Sequence, residues 1–468
     1  MKYLLLIPDG VGIRNFLFSS FIDLLLEKGK VVVWHALPSV SIAPLRERWG
    51  CRVKWEPLQE FDDAPAVRFL RQSKMFAQLF WHNDGHLEQL LRNRLASGDW
   101  KSWFFKQSAK SLGRLSAGPW RMAWLERCYI QCASRGDWMP QVESYLRAEK
   151  PDVVFCTHQR AYRAVPGMLA ARKLGIPTAT FIYSWDNLPK GEMAVTSDYF
   201  FVWSQAMQDE LLRYHTNVTA SQVFVVGTPQ FEPYFNSAMI ESRDQICQSL
   251  GLDPSRPIVC FSGSAIPTSP YDPIYLGDLA AVFNAMPELV RPQILFRRCP
   301  VDFSKRYHEV LCKHPEIAES KPAWVPCKDG DWSQIVPTLE DVRLLTNVVR
   351  HCDMVVNLGS TMAMDFAVMD KPGIYIDYDP SSVEGLQQNS IHAVYRQPHF
   401  RSVHRFQPVY WVKSQEQLGD TVLHALARPE EKAEARRQWL KELVMEPFSE
   451  ASARCCQALR RVVALGPA

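Results

Sequence analysis

The chain has 468 residues, more than one ordinary hydrophobic core holds, so two or three domains are expected. Apolar residues make up 47% and charged residues 22%, the balance of a globular protein, and a net charge of only +3 supplies no chain-wide field for nucleic acid. The twelve Cys show neither a CxxC pair nor zinc-ligand spacing, which points to reduced thiols and a cytoplasmic protein rather than a disulfide framework.

The opening "MKYLLLIPDG" carries an apolar run that stops at Pro8-Asp9-Gly10, too short for a signal-peptide core. No run approaches the ~20 apolar residues of a membrane-spanning helix. "KYLLLIP" predicts a buried strand, "NFLFSSFIDLLLEKG" a helix closed by Gly29, and "KVVVWHAL" the next strand. Between about 82 and 150 the rhythm breaks into a helical segment. From Arg92 to Arg127 it holds eight Lys/Arg and two acids, interleaved with Trp100, Trp103, Phe104, Phe105, Trp120 and Trp124. That composition fits a surface lying on an anionic membrane. It fits equally a helical insertion that packs its rings inward.

The alternation resumes with "DVVFCTH", the helix "YRAVPGMLAARKLG" and "IPTATFIYS". "DYFFVWS", a helix from about Gln205 to Tyr214 and "QVFVVGTP" follow. "PQFEPYFNSAMIES" predicts a linker. A second series has strands at "PIVCFSG", "PQILFRR", "DMVVNLG", "GIYIDY" and "VYWVK", and the last 40 or so residues predict two helices broken at Pro447. Strands alternating with helices imply parallel sheets covered on both faces. The expected architecture is α/β, with two doubly wound Rossmann-like domains facing across a cleft: 1–230 with the insertion at 82–150, 245–440, and a terminal helix, 441–468, returning to the first domain.

In open parallel sheets ligands gather at the carboxyl ends of strands. "DMVVNLGSTMAMDFAVMDKPGIYID" places Gly359, Ser360 and Thr361 there, between a strand and a helix. Free N–H groups at a helix start attract anions, and Asp365, one turn on, is placed to accept from a ribose diol. The same pattern also describes an ordinary capped helix with a solvated Asp365. Two further first-domain strands end at His158 and at Trp185-Asp186, so these side chains are expected in the cleft, Trp185 to stack on a sugar.

The quoted 353–377 segment resembles the nucleotide-binding segment of GT-B glycosyltransferases and their relatives, among them UDP-N-acetylglucosamine 2-epimerase and the CDP-glycerol glycerophosphotransferases. Residues 182–235 resemble GT-B-like proteins of bacterial surface-polysaccharide clusters, and the likeness extends over about 150–465. Asp365 stands at the acidic ribose position, where Glu is commoner. The resemblance implies a nucleotide sugar in the second domain, contacted by Ser262, Gly263, Ser264 and the strand-end Arg297 as well as by the Gly359 loop. "RRCP" replaces the Arg-Pro-His-Pro of some relatives. In the first domain it implies an acceptor loop at Gly10, Gly12 and Asn15, with Asp9 the first choice of catalytic base and His158 and Asp186 the other catalytic candidates.

These features together predict a glycosyltransferase that uses a nucleotide sugar and a glycan or lipid-linked acceptor in capsule or O-antigen synthesis. It would lie at the inner face of the cytoplasmic membrane, with possible membrane contact through 92–127 and no nucleic-acid partner. No paired metal-binding acids are evident at a strand end, so no cofactor and no metal are expected. The alternatives are a nucleotide-sugar 2-epimerase-like enzyme, a CDP-polyol phosphotransferase-like enzyme, and a non-catalytic glycan-binding scaffold.

Overall fold

The computed structural model describes the chain except for residues 59–62, 84–86, 96–98, 192, 326–334 and 384–389 and the side chains of 11, 39–41, 88, 89, 92 and 93. It divides into two compact units. The first comprises Met1–Glu232, Val325–Val336 and Leu443–Ala468, and the second Pro233–Trp324 and Pro337–Glu442.

The first unit is built on β1 (Lys2–Ile7), β2 (Lys30–His35), β3 (Val53–Pro57), β4 (Val153–Cys156), β5 (Thr178–Phe181), β6 (Tyr199–Val202) and β7 (Val223–Val225). Their order is β3-β2-β1-β4-β5-β6-β7, and all pairs are parallel. Residues Tyr3 to Ile7 are buried throughout, as a central parallel strand covered on both faces requires. On one face Leu4, Leu6, Val32, Trp34 and Val154 pack with Tyr129, Leu146 and Met168 of the covering helices. On the other, Phe16 meets Phe21, Phe155 and Phe181 edge-on at 5.0–5.3 Å. The terminal helix Ala451–Leu465 belongs to this unit, held through Ser452, whose N–H and hydroxyl donate to buried Glu232.

The second unit is built on β8 (Ile258–Ser262), β9 (Gln293–Arg297), β10 (Ala318–Ser320), β11 (Met354–Asn357), β12 (Gly373–Ile376) and β13 (Tyr410–Val412). The order is β10-β9-β8-β11-β12-β13 and again every pair is parallel. Each sheet therefore reverses its winding direction once, between β1 and β4 in the first unit and between β8 and β11 in the second. Those switch points are where open α/β sheets leave a crevice.

Three expectations change. The single helix read from Asn15 is two, Val11–Phe16 and Phe21–Leu26. Ser20 at the break donates through both N–H and hydroxyl to Glu232, bonds that compete with a continuous helix. The stretch read as a linker does hold the boundary between the units, at Glu232 and Pro233, but it is packed rather than open: Phe231 and Tyr234 are buried in the 3₁₀ turn Pro229–Phe235. The helical segment begins early, at the helix Pro65–His82, and continues through Leu87–Leu95, Trp100–Leu115, Pro119–Ala133 and Met139–Glu149.

Candidate functional site

In the first unit, β1 and β4 lie side by side in register, Leu6 opposite Cys156. The residues just past their carboxyl ends, Asp9 and His158, are therefore brought together. Asp9 Oδ2 lies 2.6 Å from His158 Nδ1, and both side chains are buried. With the carboxylate ionised, Nδ1 carries the proton and donates to Asp9, which leaves the Nε2 lone pair as the ring's acceptor. Nε2 is buried and has no hydrogen-bond partner among the described residues. The Tyr183 ring stands edge-on to the imidazole at 4.3 Å and 86°.

Neighbouring residues fix this pair. Gln159 accepts from the Tyr183 N–H at 3.1 Å and donates to Asn187 Oδ1 at 2.8 Å. Asn187 donates in turn to Asp186 Oδ1 at 2.9 Å. Arg160 donates to the Tyr183 hydroxyl at 3.2 Å. Asp186, one of the expected catalytic groups, is ion-paired with Lys190 and also accepts from Ser184 at 2.5 Å. It anchors the loop after β5 rather than presenting a base.

Packing alone requires both glycines of the acceptor loop. A Cβ on Gly12 would lie 2.2 Å from Thr157 Oγ1, and one on Gly10 2.0 Å from the carbonyl oxygen of Ile335. Gly12 thus lets the helix Val11–Phe16 close onto the residue that precedes His158. Asn15 is buried within that helix, and Trp185 is buried too, so its face is not offered to a sugar.

In the second unit the switch point is equally defined, with Ser262 at the end of β8 opposite Asn357 at the end of β11. Asn357 is fully buried. Its Oδ1 accepts from the Ser360 N–H at 3.1 Å, while its Nδ2 has no partner among the described residues. The Ser264 hydroxyl across the switch point is likewise without one. The Ser264 N–H donates to Asp272, a buried carboxylate that also accepts from Tyr307 at 3.1 Å. Burial pushes the Asp272 carboxyl up to about 6, against the pull of those donors and of Arg306. Gly263 is tightly enclosed, since a Cβ there would come 2.8 Å from the Tyr307 hydroxyl.

The Gly359 loop is shaped by backbone and packing. Gly359 has φ +71°, and a Cβ there would approach Phe400 to 2.8 Å. Ser360 accepts from the Met362 N–H at 3.3 Å, and Thr361 is exposed at the start of a short helix, Met362–Val368. Asp365 is only 2% exposed and accepts from the Tyr234 hydroxyl at 2.5 Å. This corrects the expectation of a carboxylate presented to a ribose. Arg297 is corrected in the same way. It is buried and paired with Asp341 at 2.6 Å, with a further bond to Ser320.

Sequence reasoning passed over Asn357, Gln159, Tyr183 and Arg160. For Asn357 a signal existed, since an amide closing the otherwise apolar run "MVV" has no packing reason to be there. Among the described residues no group of three His, Cys, Asp or Glu is placed to hold a metal ion.

No protein-family model matches the chain, and no curated protein sequence does. Its structure is similar to solved ones over nearly its whole length. A Listeria monocytogenes protein designated a UDP-N-acetylglucosamine 2-epimerase aligns with TM-score 0.55 at 10% identity, covering 98% of this chain and 95% of that one. The UDP-GlcNAc 2-epimerase of Neisseria meningitidis, solved bound to UDP-GlcNAc, aligns with TM-score 0.53 at 11% identity, covering 98% and 100%. A glycosyltransferase of Rickettsia africae aligns with TM-score 0.50 at 9% identity, covering 99% and 98%. The chain has the fold these structures share, the GT-B fold of two Rossmann-like units.

Proposed function

We propose that the chain is a glycosyltransferase that moves a sugar from a nucleotide sugar to a glycan or lipid-linked acceptor of a bacterial surface polysaccharide. The second unit binds the donor and the first unit binds the acceptor. The observation that carries this is the Asp9–His158 pair, whose Nε2 is buried and without a hydrogen-bond partner among the described residues. Transfer forms a bond between the acceptor oxygen and the anomeric carbon and breaks the bond from that carbon to the nucleoside diphosphate. The acceptor hydroxyl must lose its proton as this happens. His158 Nε2 takes that proton, and Asp9 holds the ring's orientation and stabilises the imidazolium that forms. On the donor side Asn357 Nδ2 and the Ser264 and Thr361 hydroxyls are the groups proposed to receive the diphosphate and its growing charge. The UDP-GlcNAc in the Neisseria structure supports a nucleotide sugar as the donor class.

The test is a panel of nucleotide sugars incubated with the protein and a bacterial lipid extract. The proposal predicts a sugar-bearing lipid or glycan product. An epimerised nucleotide sugar formed without extract replaces it with an epimerase.

The helical insertion supports a membrane-borne acceptor. Ring burial stabilises by about 1.5–3 kcal/mol for a large apolar side chain. The insertion nevertheless leaves Trp100 73%, Trp103 53%, Phe104 63%, Trp120 88% and Trp124 56% exposed. Phe105 alone of the six turns inward, edge-on to Phe69 at 5.6 Å. Exposed Lys101, Arg114, Arg121 and Arg127 accompany the rings. No helix among the described residues is long and apolar enough to cross a membrane. The proposed occupant of this surface is therefore the face of an anionic bilayer, the inner face of the cytoplasmic membrane. Sedimentation with anionic liposomes should carry the protein down at low salt and less so at high salt. Changing Trp103, Phe104 and Trp120 together to Ser should weaken that binding at least about tenfold. Wild-type protein left in the supernatant at low salt would remove the membrane from the proposal.

A further inference from the structure

A cavity of about 290 Å³ lies in the first unit where β2 and β3 end. Among the described residues Trp34, Trp138 and Tyr145 supply its rings and Glu56, Gln141 and Arg163 its polar groups, with apolar side chains between them. The fold sets the rings in place. Trp34 Nε1 donates to the Pro57 carbonyl at 3.2 Å, and the Tyr145 ring lies 4.7 Å from the Trp34 ring, tilted by 36°. Gly167, in the helix Val165–Lys173, lets that helix close on the indole, since a Cβ there would come 3.1 Å from it. The Tyr145 hydroxyl is buried without a hydrogen-bond partner among the described residues. Two links tie the cavity to the catalytic pair. Arg163 and Gly167 belong to the connection and helix that lead on from His158. Neighbouring strands lie ~4.8 Å apart, so the ends of β2 and β3 stand roughly 5 and 10 Å from the end of β1, which leads to Asp9.

We infer that this cavity holds a neutral pyranose ring of the acceptor glycan, next to the sugar whose hydroxyl is extended. The inference rests on the first unit being the acceptor side. Aromatic walls receive the apolar C–H faces of a pyranose, and carboxylate, amide and guanidinium groups pair with the hydroxyls around its edge. Charge argues for a neutral ligand. The described wall carries one acid and one base, and the acid, Glu56, is already paired with Lys54 at 3.0 Å, so there is no excess of either sign to hold a phosphate or a carboxylate. An apolar chain fits worse, because it would bury three polar groups without giving them partners. At about 290 Å³ the cavity stands at the lower end of the ~300–1,000 Å³ range of small-molecule sites, room for one ring rather than for a long chain. Walls already fixed by hydrogen bond and packing cost a ligand little rearrangement. The consequence is specificity: the acceptor is read one sugar back from the bond being made.

The experiment is saturation-transfer NMR on the full chain, without donor. The probes are the methyl glycosides of glucose, galactose, mannose, rhamnose and N-acetylglucosamine in turn, with geraniol as an apolar counterpart. The variants are Gln141→Trp, which brings an indole into the cavity from an exposed position, Arg163→Met, which removes a hydroxyl partner without adding bulk, and His158→Asn, outside the wall. The inference expects at least one glycoside to bind the wild type, with the strongest transfer to its ring C–H protons. Gln141→Trp should bind that glycoside at least about tenfold more weakly, because the space is filled. Arg163→Met should bind it about fivefold more weakly, the worth of one hydrogen bond. His158→Asn should bind it as the wild type does, and all four proteins should melt within a few degrees of one another. No glycoside bound by the wild type, geraniol bound in its place, undiminished binding in Gln141→Trp or Arg163→Met, or a loss in His158→Asn alone overturns the inference. Sugar binding here with no transfer when donor is supplied would overturn the glycosyltransferase reading alone, and transfer without sugar binding here would overturn this inference alone.

Discussion

Replacing His158 by Asn should lower turnover with a nucleotide sugar by about 10²–10⁴-fold, the usual worth of a positioned general base, and should leave donor affinity unchanged. Nε2 has no other described partner, so its loss costs the fold little beyond the bond to Asp9. The carboxylate was the first candidate from sequence, but at 2.6 Å from Nδ1 it is committed to the imidazole and acts through it. Asp9→Asn is accordingly expected to slow turnover by about 10²-fold or more, because an amide no longer stabilises the imidazolium or selects its tautomer. Asp186→Asn weakens an ion pair with Lys190 and should change turnover by less than about tenfold, the scale set by a partly exposed pair. Single-turnover rates and donor titrations on the three variants check the order. A full rate in His158→Asn beside a large loss in Asp186→Asn would move the base to the loop after β5.

The second large effect is on stability. Asp341→Ala should destabilise the second unit by about 3–5 kcal/mol, because it strands the buried Arg297 guanidinium without its partner. Asp341 does more than pair with Arg297. It also accepts from the Ala323 N–H at 3.0 Å and from Trp324 Nε1 at 2.5 Å. At roughly 2–4 °C per kcal/mol for a unit of this size, the melting transition should fall by about 6–20 °C. Arg297→Met with Asp341→Leu should recover the part of the loss that comes from the stranded charge, but not the part from the Ala323 N–H and Trp324 Nε1, which both single and double variants leave without their acceptor. Were Arg297 a diphosphate ligand instead, Arg297→Met would weaken nucleotide binding at an unchanged melting temperature. Thermal unfolding beside nucleotide titration separates the two.

These two cases also mark where the sequence stops being legible. β1, β4, β8 and β11 are buried on both faces, so each reads as an unbroken apolar run, and the residue just past each run reads as a crevice residue. Asp9 and His158 were placed at strand ends for that reason. Their pairing depends on β1 and β4 being neighbours across 149 residues, and a sheet's strand order leaves no mark in local periodicity. One edge of each sheet was missed for a related reason. β3 ("VKWEP") is only partly buried and β10 ("AES") is three residues long, so neither shows a buried strand's pattern.

Arg297 was correctly seen at a strand end, but the fate of its charge depended on Asp341, 44 positions away. The insertion is the converse. Its inward seam is made of small residues, Ala109, Gly113 and Ser116, and a Cβ on Gly113 would come 2.5 Å from Phe76. A helix that packs closely through small residues leaves its large ones outside. That is why Trp100, Trp103 and Phe104 of this helix point to solvent, although composition alone allowed either face.

The central claim, sugar transfer with His158 as base, is tested most directly by nucleoside diphosphate release from a labelled nucleotide sugar. It is measured for the wild type and for His158→Asn, each with and without a lipid-extract acceptor. The prediction is release by the wild type only when acceptor is present, with label passing into the acceptor, and release slowed about 10²–10⁴-fold in His158→Asn although the variant still binds the donor. Release that ignores the acceptor, a sugar epimer formed in its absence, or an undiminished rate in His158→Asn would contradict it.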